Sequence, residues 1–168
     1  MGKKFELTTD TKIHFGRKLF RIKALISFGN VNAGDLGGYV ESEKNLSQSG
    51  DAWVYGNARV YGNAEVYGDA WVYGDAEVCG DAWVYGNADY VCVKGLGSQF
   101  RNTTFFKCKN GDIYVICGCF EGNLDEFTKK VKTTHGDSKY AKEYLAMVEV
   151  VKIHFENENG NESGEQSD

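Results

Sequence analysis

The stretch AWVYGNARVYGNAEVYGDAWVYGDAEVCGDAWVYGNA occupies residues 52–88 and repeats one six-residue unit, Ala-x-Val-Tyr-Gly-Asn/Asp. Side chains of an extended segment alternate between faces, so Ala and Val share one side while x and Tyr share the other. Gly followed by Asn or Asp then supplies a tight turn, because these residues best tolerate positive φ. Each unit is therefore a four-residue strand and a corner. Two architectures accommodate the pattern. An antiparallel meander can use Gly-Asn and Gly-Asp in two-residue hairpins, but it needs a second layer to cover the Ala/Val side. A solenoid, in which each strand stacks on the equivalent strand of the next turn, buries that side within itself. The solenoid is the stronger expectation.

The unit resembles the hexapeptide repeat of left-handed parallel β-helices. The aliphatic stands at Val54, Val60, Val66, Val72, Val78 and Val84, with the small residue at Ala58, Ala64, Ala70, Ala76, Ala82 and Ala88. The resemblance implies three hexads, or 18 residues, per triangular coil. Val40 and Leu46 extend the Ala row backwards by six and twelve residues, so an irregular first coil is expected from Leu36. About three coils at roughly 4.8 Å rise make a stub on the order of 15 Å tall. Both of its ends need caps.

The flanks offer those caps. KIHF and KLFRIKALISF on either side of Gly16-Arg17 predict an N-terminal hairpin. After Val93 the period breaks, and FFKCK and DIYVICGCF flank Asn110-Gly111, a type I′ hairpin signal. Asn123 with Glu126 predicts a capped helix through Leu124, Phe127 and Val131, ended by HGDS. A second helix from about Lys139 carries Tyr140, Tyr144, Val148 and Val151 on one stripe. The expected organisation is mainly β: an N-terminal β cap over 1–35, a short left-handed β-helix over 36–93, and a hairpin with two helices over 94–155. An acidic tail over 156–168 has the composition of a disordered segment.

Charge divides along the same lines. The net charge of −5 lies in the tail, which holds five acids and no base, leaving 19 acids against 19 bases before it. Residues 50–93 carry seven acids and Arg59 alone as base, whereas 1–49 and 94–155 are each +3. An acidic waist between basic ends is a poor match for a nucleic-acid backbone. No run approaches 18 apolar residues, and the polar MGKKFELTTD lacks a signal core, which argues against a membrane span or export. Five cysteines, with Cys79 standing where neighbouring units have Tyr, suggest free thiols in a reducing cytoplasm.

A broader resemblance covers nearly all the chain before the tail. GDLGGYVESEKNLSQSGDAWVYGNA, GSQFRNTTFFKCKNG, CGCFEGNLDEF and HGDSKYAKEY are similar to segments of small proteins carried by bacteriophages and prophages. It implies a context, the cytoplasm of a bacterial host, rather than an activity.

Catalysis finds little support. Hexapeptide enzymes use a histidine as general base near the coils, or three histidines on zinc. Here the histidines are His14, His135 and His154, none within residues 36–93. Cys117 and Cys119, with Cys108 and His135, lack a second close pair for a zinc site, and read better as thiols packed in a small core. No catalytic residue, cofactor or metal is therefore expected.

Two surfaces remain as candidate sites. Stacking by 18 places Trp53 over Trp71 with Tyr55 over Tyr73 beside them, whereas Arg59 stacks on Glu77 and Glu65 on Trp83 near Tyr85. The four clustered aromatics, together with Trp83 and Tyr85, make a candidate contact for a partner, either another copy in a trimer or dimer or a foreign protein. Second, Lys94, Ser98, Arg101, Thr103 and Thr104 surround a glycine-rich connector that could grip phosphate or carboxylate oxygens. The leading expectation is a non-enzymatic phage protein that occupies a host factor, with antiviral defence as the expected setting. A binder that sequesters a nucleotide-type ligand at the junction is second, and a hexapeptide acyltransferase third.

Overall fold

The structure is a computed structural model and describes residues 2–156. The expected acidic tail lies, from residue 157 on, outside them. The described chain is mainly β with two helices at its C-terminal end.

The N-terminal hairpin pairs β1 (Phe5–His14) antiparallel with β2 (Arg17–Ala24), closing at His14 opposite Arg17. Its two-residue loop is Phe15-Gly16, one position earlier than Gly16-Arg17. Both residues have positive φ (47° and 75°), the requirement of a type I′ turn. β3 (Leu36–Val40) then lies antiparallel to β2 and parallel to β5 (Arg59–Val60), which in turn pairs with β8 (Glu77–Val78). The hairpin thus extends one side of the repeat block in the order β1-β2-β3-β5-β8. Two further parallel ladders join β4 (Trp53–Val54) to β7 (Trp71–Val72), and β6 (Glu65–Val66) to β9 (Trp83–Val84).

The ladders have the 18-residue register read from the repeat: Trp53 opposite Trp71, Arg59 opposite Glu77, Glu65 opposite Trp83. All six valines from Val54 to Val84 are completely buried, and so, to within one per cent, are the alanines from Ala52 to Ala82. Each buried valine contributes roughly 1.5–3 kcal/mol over an exposed one. At the corners Gly56, Gly62, Gly68, Gly74 and Gly80 take φ between 55° and 70°, while the Asn or Asp that follows does not. The corner therefore demands glycine only. The final unit, Tyr85-Gly86-Asn87-Ala88, has the same sequence as earlier corners but not their shape. The Asp89 carboxylate accepts the N–H groups of Tyr85 and Gly86, both at 2.9 Å, and Gly86 turns to φ −135°. Ala88 is consequently exposed and the repeat stops.

The first turn departs from the expected register. Val40 pairs with Val60 and Leu46 with Val66, so both belong to the Val row rather than the Ala row. Two extra residues in the corner between Leu46 and Val54 account for the shift. That corner receives the N-terminal strand: Gln48 Oε1 accepts from the Lys4 and Phe5 N–H groups at 2.8 and 3.2 Å. Buried Lys4 donates from Nζ to the carbonyls of Gly50 (3.2 Å) and Ala52 (2.8 Å).

The C-terminal sheet runs in the order β10 (Tyr90–Val93), β11 (Thr103–Lys107), β12 (Ile113–Cys117), β13 (Phe120–Asn123), all antiparallel. The β11–β12 loop is longer than a type I′ turn. Cys108 pairs with Asp112 around Lys109-Asn110-Gly111, and of these only Gly111 has positive φ. DIYVICGCF is likewise two strands, broken by a turn at Gly118-Cys119, so Cys119 lies exposed on a turn and not in a core. α1 (Leu124–His135) has the expected box, with Asn123 Oδ1 accepting from Glu126 N and Glu126 Oε2 from Asn123 N, both at 2.9 Å. α2 (Lys139–Phe155) buries Tyr144, Met147, Val148, Val151 and Phe155, and leaves Tyr140 exposed, one residue off the buried Ala141. Among the described residues no helix is long and apolar enough to cross a membrane.

Candidate functional site

The expected aromatic face is divided. Trp53 does stack on Trp71, but it is completely buried, because Phe5 and Phe28 from the N-terminal segment pack edge-on to it at 6.3 and 5.4 Å between ring centres. Its position in the repeat is outward; β1 and the loop after β2 cover it. Tyr55 and Trp71 are half-buried against each other, at 5.5 Å. Tyr73 remains 60 % exposed. The other two expected contact residues, Trp83 and Tyr85, lie along the β6–β9 ladder and are uncovered. Trp83 and Tyr85 are 46 % and 58 % exposed, and both pack on Tyr67, with ring centres 5.5 and 5.0 Å away. The Tyr67–Tyr85 contact follows the 18-residue stacking, whereas the Tyr67–Trp83 contact joins a Tyr position to an x position of the next turn and is not visible in stacking alone. Lys109 closes one edge of this surface with a 2.9 Å ion pair to Glu65.

A cleft of about 530 Å³ lies elsewhere, between the hairpin tip, the β5–β8 ladder and the 94–102 connector. At its base Glu77 is nearly buried. Its Oε1 accepts from His14 Nε2 at 2.5 Å and from the Tyr61 hydroxyl, and its Oε2 faces an Arg59 nitrogen at 3.5 Å. A carboxylate only accepts, so the bonded ring nitrogen of His14 carries the proton. Burial first, and the bond to Glu77 second, push the Tyr61 hydroxyl pKa well above its usual value. The neighbouring Cys79 thiol is pushed up to about 12 by burial, which makes it a poor nucleophile.

The connector is held at its start and near its middle. Lys94 pairs with Asp75 at 2.9 Å, and Gly97 N donates to Glu143 Oε2 at 2.7 Å. Arg101 lies across the Gly118 turn, so closely that a Cβ on Gly118 would collide with its guanidinium. Of the residues expected to grip oxygens, Lys94 and Arg101 line the cleft. Ser98 is turned to a separate hollow of about 250 Å³ beside α1. Thr103 and Thr104 are buried, their hydroxyls donating to Cys117 Sγ (3.3 Å) and Cys92 Sγ (3.7 Å), and so are out of reach of a ligand. Strand β11 alternates, but both its faces are covered, one by the repeat block and one by the helices.

Phe15 and Phe100 line this cleft, and neither stands out in the sequence. They are the non-glycine residues with positive φ among those described, at 47° and 53°, and are 64 % and 66 % exposed. Nothing in a phenylalanine's identity announces a left-handed backbone. The histidines occupy separate places: His14 on Glu77, His135 stacked on Tyr144 at 5.5 Å, and His154 on the Ala88 carbonyl at 2.8 Å. No protein-family model matches this chain, and no curated protein does.

Proposed function

We propose that the chain is a non-enzymatic binding protein of the phage type, carried on a short left-handed parallel β-helix, and that it occupies a protein of the bacterial host, a component of antiviral defence being the expected target. The β-helix is supported by three parallel ladders in 18-residue register, an inward Val/Ala row and positive-φ glycines at five successive corners, Gly56 to Gly80. The phage context rests on the sequence resemblance. Free thiols at all five cysteines support a reducing cytoplasm.

The observation that carries the binding role is the Tyr67–Trp83–Tyr85 cluster, with Trp83 and Tyr85 uncovered. The equivalent tryptophan at position 53 is fully covered by the chain's own N-terminal segment, so an uncovered Trp83 is a choice of position and not a property of the repeat. Trp and Tyr are the usual anchors of protein contacts, being large, rigid and amphipathic. The scattered histidines support a role without acid–base or zinc chemistry.

The test is native mass measurement after exposure to host lysate, for wild type and for the double variant Trp83→Ser, Tyr85→Ser. A defined complex with wild type, absent with the variant, supports the reading. Equal capture by both would reject the surface. A dimer or trimer of wild type that the variant abolishes would reassign the surface to self-association.

A further inference from the structure

We propose that the cleft between the hairpin tip and the 94–102 connector binds a nucleoside phosphate, its anionic group held by Arg59 and Arg101 and its planar ring lodged against Phe15 and Phe100. The site is separate from the β6–β9 surface and independent of the protein-partner reading.

The polar groups of the cleft are rich in donors and poor in acceptors. Glu77 is the carboxylate at its base, and its oxygens are already engaged by His14, Tyr61 and Arg59. Arg59 gives Glu77 only a single long contact of 3.5 Å, and its buried Nε has no acceptor among the described residues. A planar guanidinium offers five N–H groups, so most of its capacity is unspent. Arg101 makes no hydrogen bond or ion pair among the described residues, and its side chain lies against the Gly118 turn. Two under-used guanidiniums on one cleft favour an anion with several oxygens, phosphate above all, which they grip in bidentate fashion.

A free phosphate would leave the rest of the cleft unexplained. Phe15 and Phe100 hold a backbone conformation that costs a bulky residue on the order of 1 kcal/mol or more, and such strain persists only where the surroundings enforce it. Both rings remain largely exposed, so the strain is not offset by burial. Glycine would serve the same turns without strain. What phenylalanine adds is two flat apolar rings in the lining of a donor-rich cleft, suited to stacking on a planar heterocycle. The volume of about 530 Å³ falls within the usual range of small-molecule sites. A wholly apolar ligand would leave the arginines unmatched, and a metal ion would find no free carboxylate at the base.

Isothermal titration of the intact protein with AMP, GMP, CMP and UMP tests this, with inorganic phosphate and adenosine as the separated halves. Phe100→Gly and Arg101→Met are titrated alongside, and their melting temperatures recorded. The expected result is binding of at least one nucleotide, about tenfold or more tighter than either half and weakened about tenfold or more in each variant. Phe100→Gly should melt at or above the wild-type temperature, which separates lost binding from lost folding. No heat with any nucleotide at millimolar concentration would overturn the proposal. So would phosphate binding as tightly as the nucleotides, or affinity unchanged in both variants.

Discussion

His14 Nε2 donates to Glu77 Oε1 across 2.5 Å, tying the tip of the N-terminal hairpin to the β8 strand of the repeat block. The same carboxylate receives Tyr61 and faces Arg59. Glu77→Leu leaves three polar groups without their acceptor, and breaking such a buried set costs about 3–5 kcal/mol. Glu77→Gln keeps an acceptor oxygen and should lose less than half as much. Urea unfolding of the two variants checks this; equal losses would mean that the cluster does not hold the hairpin.

The repeat places tryptophans at equivalent positions with opposite fates. Trp53→Ala removes a completely buried side chain from between Phe5 and Phe28, and should cost about 3–5 kcal/mol. Trp83→Ser changes a half-exposed residue and should cost about 1 kcal/mol or less. Denaturant midpoints at matched slope compare them directly. Similar losses would contradict the covering of Trp53 by the N-terminal segment.

Lys4 supplies a pH signature. Its burial, only partly offset by Asp51, lowers the amine from 10.5 to about 8. Folding therefore disfavours the ammonium form below pH 8, and that penalty is relieved as pH rises between about 8 and 10.5, where the unfolded chain binds the extra proton. Measured as a difference, the stability of wild type over Lys4→Met should widen from pH 7.5 to pH 10. A difference that is flat or narrows with pH would show that the amine is not desolvated in the fold.

The thiols should separate by reactivity. Cys119 is exposed on the β12–β13 turn, whereas burial pushes Cys79 up to about 12 and Cys108 to about 11. Iodoacetamide at pH 8, followed by peptide mass mapping, should label Cys119 first and Cys79 only on unfolding. Early labelling of Cys79 would indicate an open repeat interior.

Local and periodic features could be read from the sequence. The 18-residue register, the inward Val row, the N-terminal hairpin and the Asn123–Glu126 helix start depend on neighbours in the chain or on a fixed period. Features that depend on what covers what could not. Trp53 and Trp83 are the same residue in the same unit, and only the path of the N-terminal segment distinguishes them. The two extra residues after Leu46 shift a row because the N-terminal strand docks there through Gln48. Thr103 and Thr104 looked available in a connector, but the packing of β11 between two layers hides them. Phe15 and Phe100 matter through backbone conformation, which no side-chain pattern records.

Hydrogen exchange on a purified complex with the captured host protein addresses the proposed role most directly. Slowed exchange at residues 65–67 and 83–85, with residues 14–16 and 99–101 unchanged, is the expected result. Protection confined to other regions, with the β6–β9 ladder exchanging as in the free protein, would contradict a partner site built on Trp83 and Tyr85.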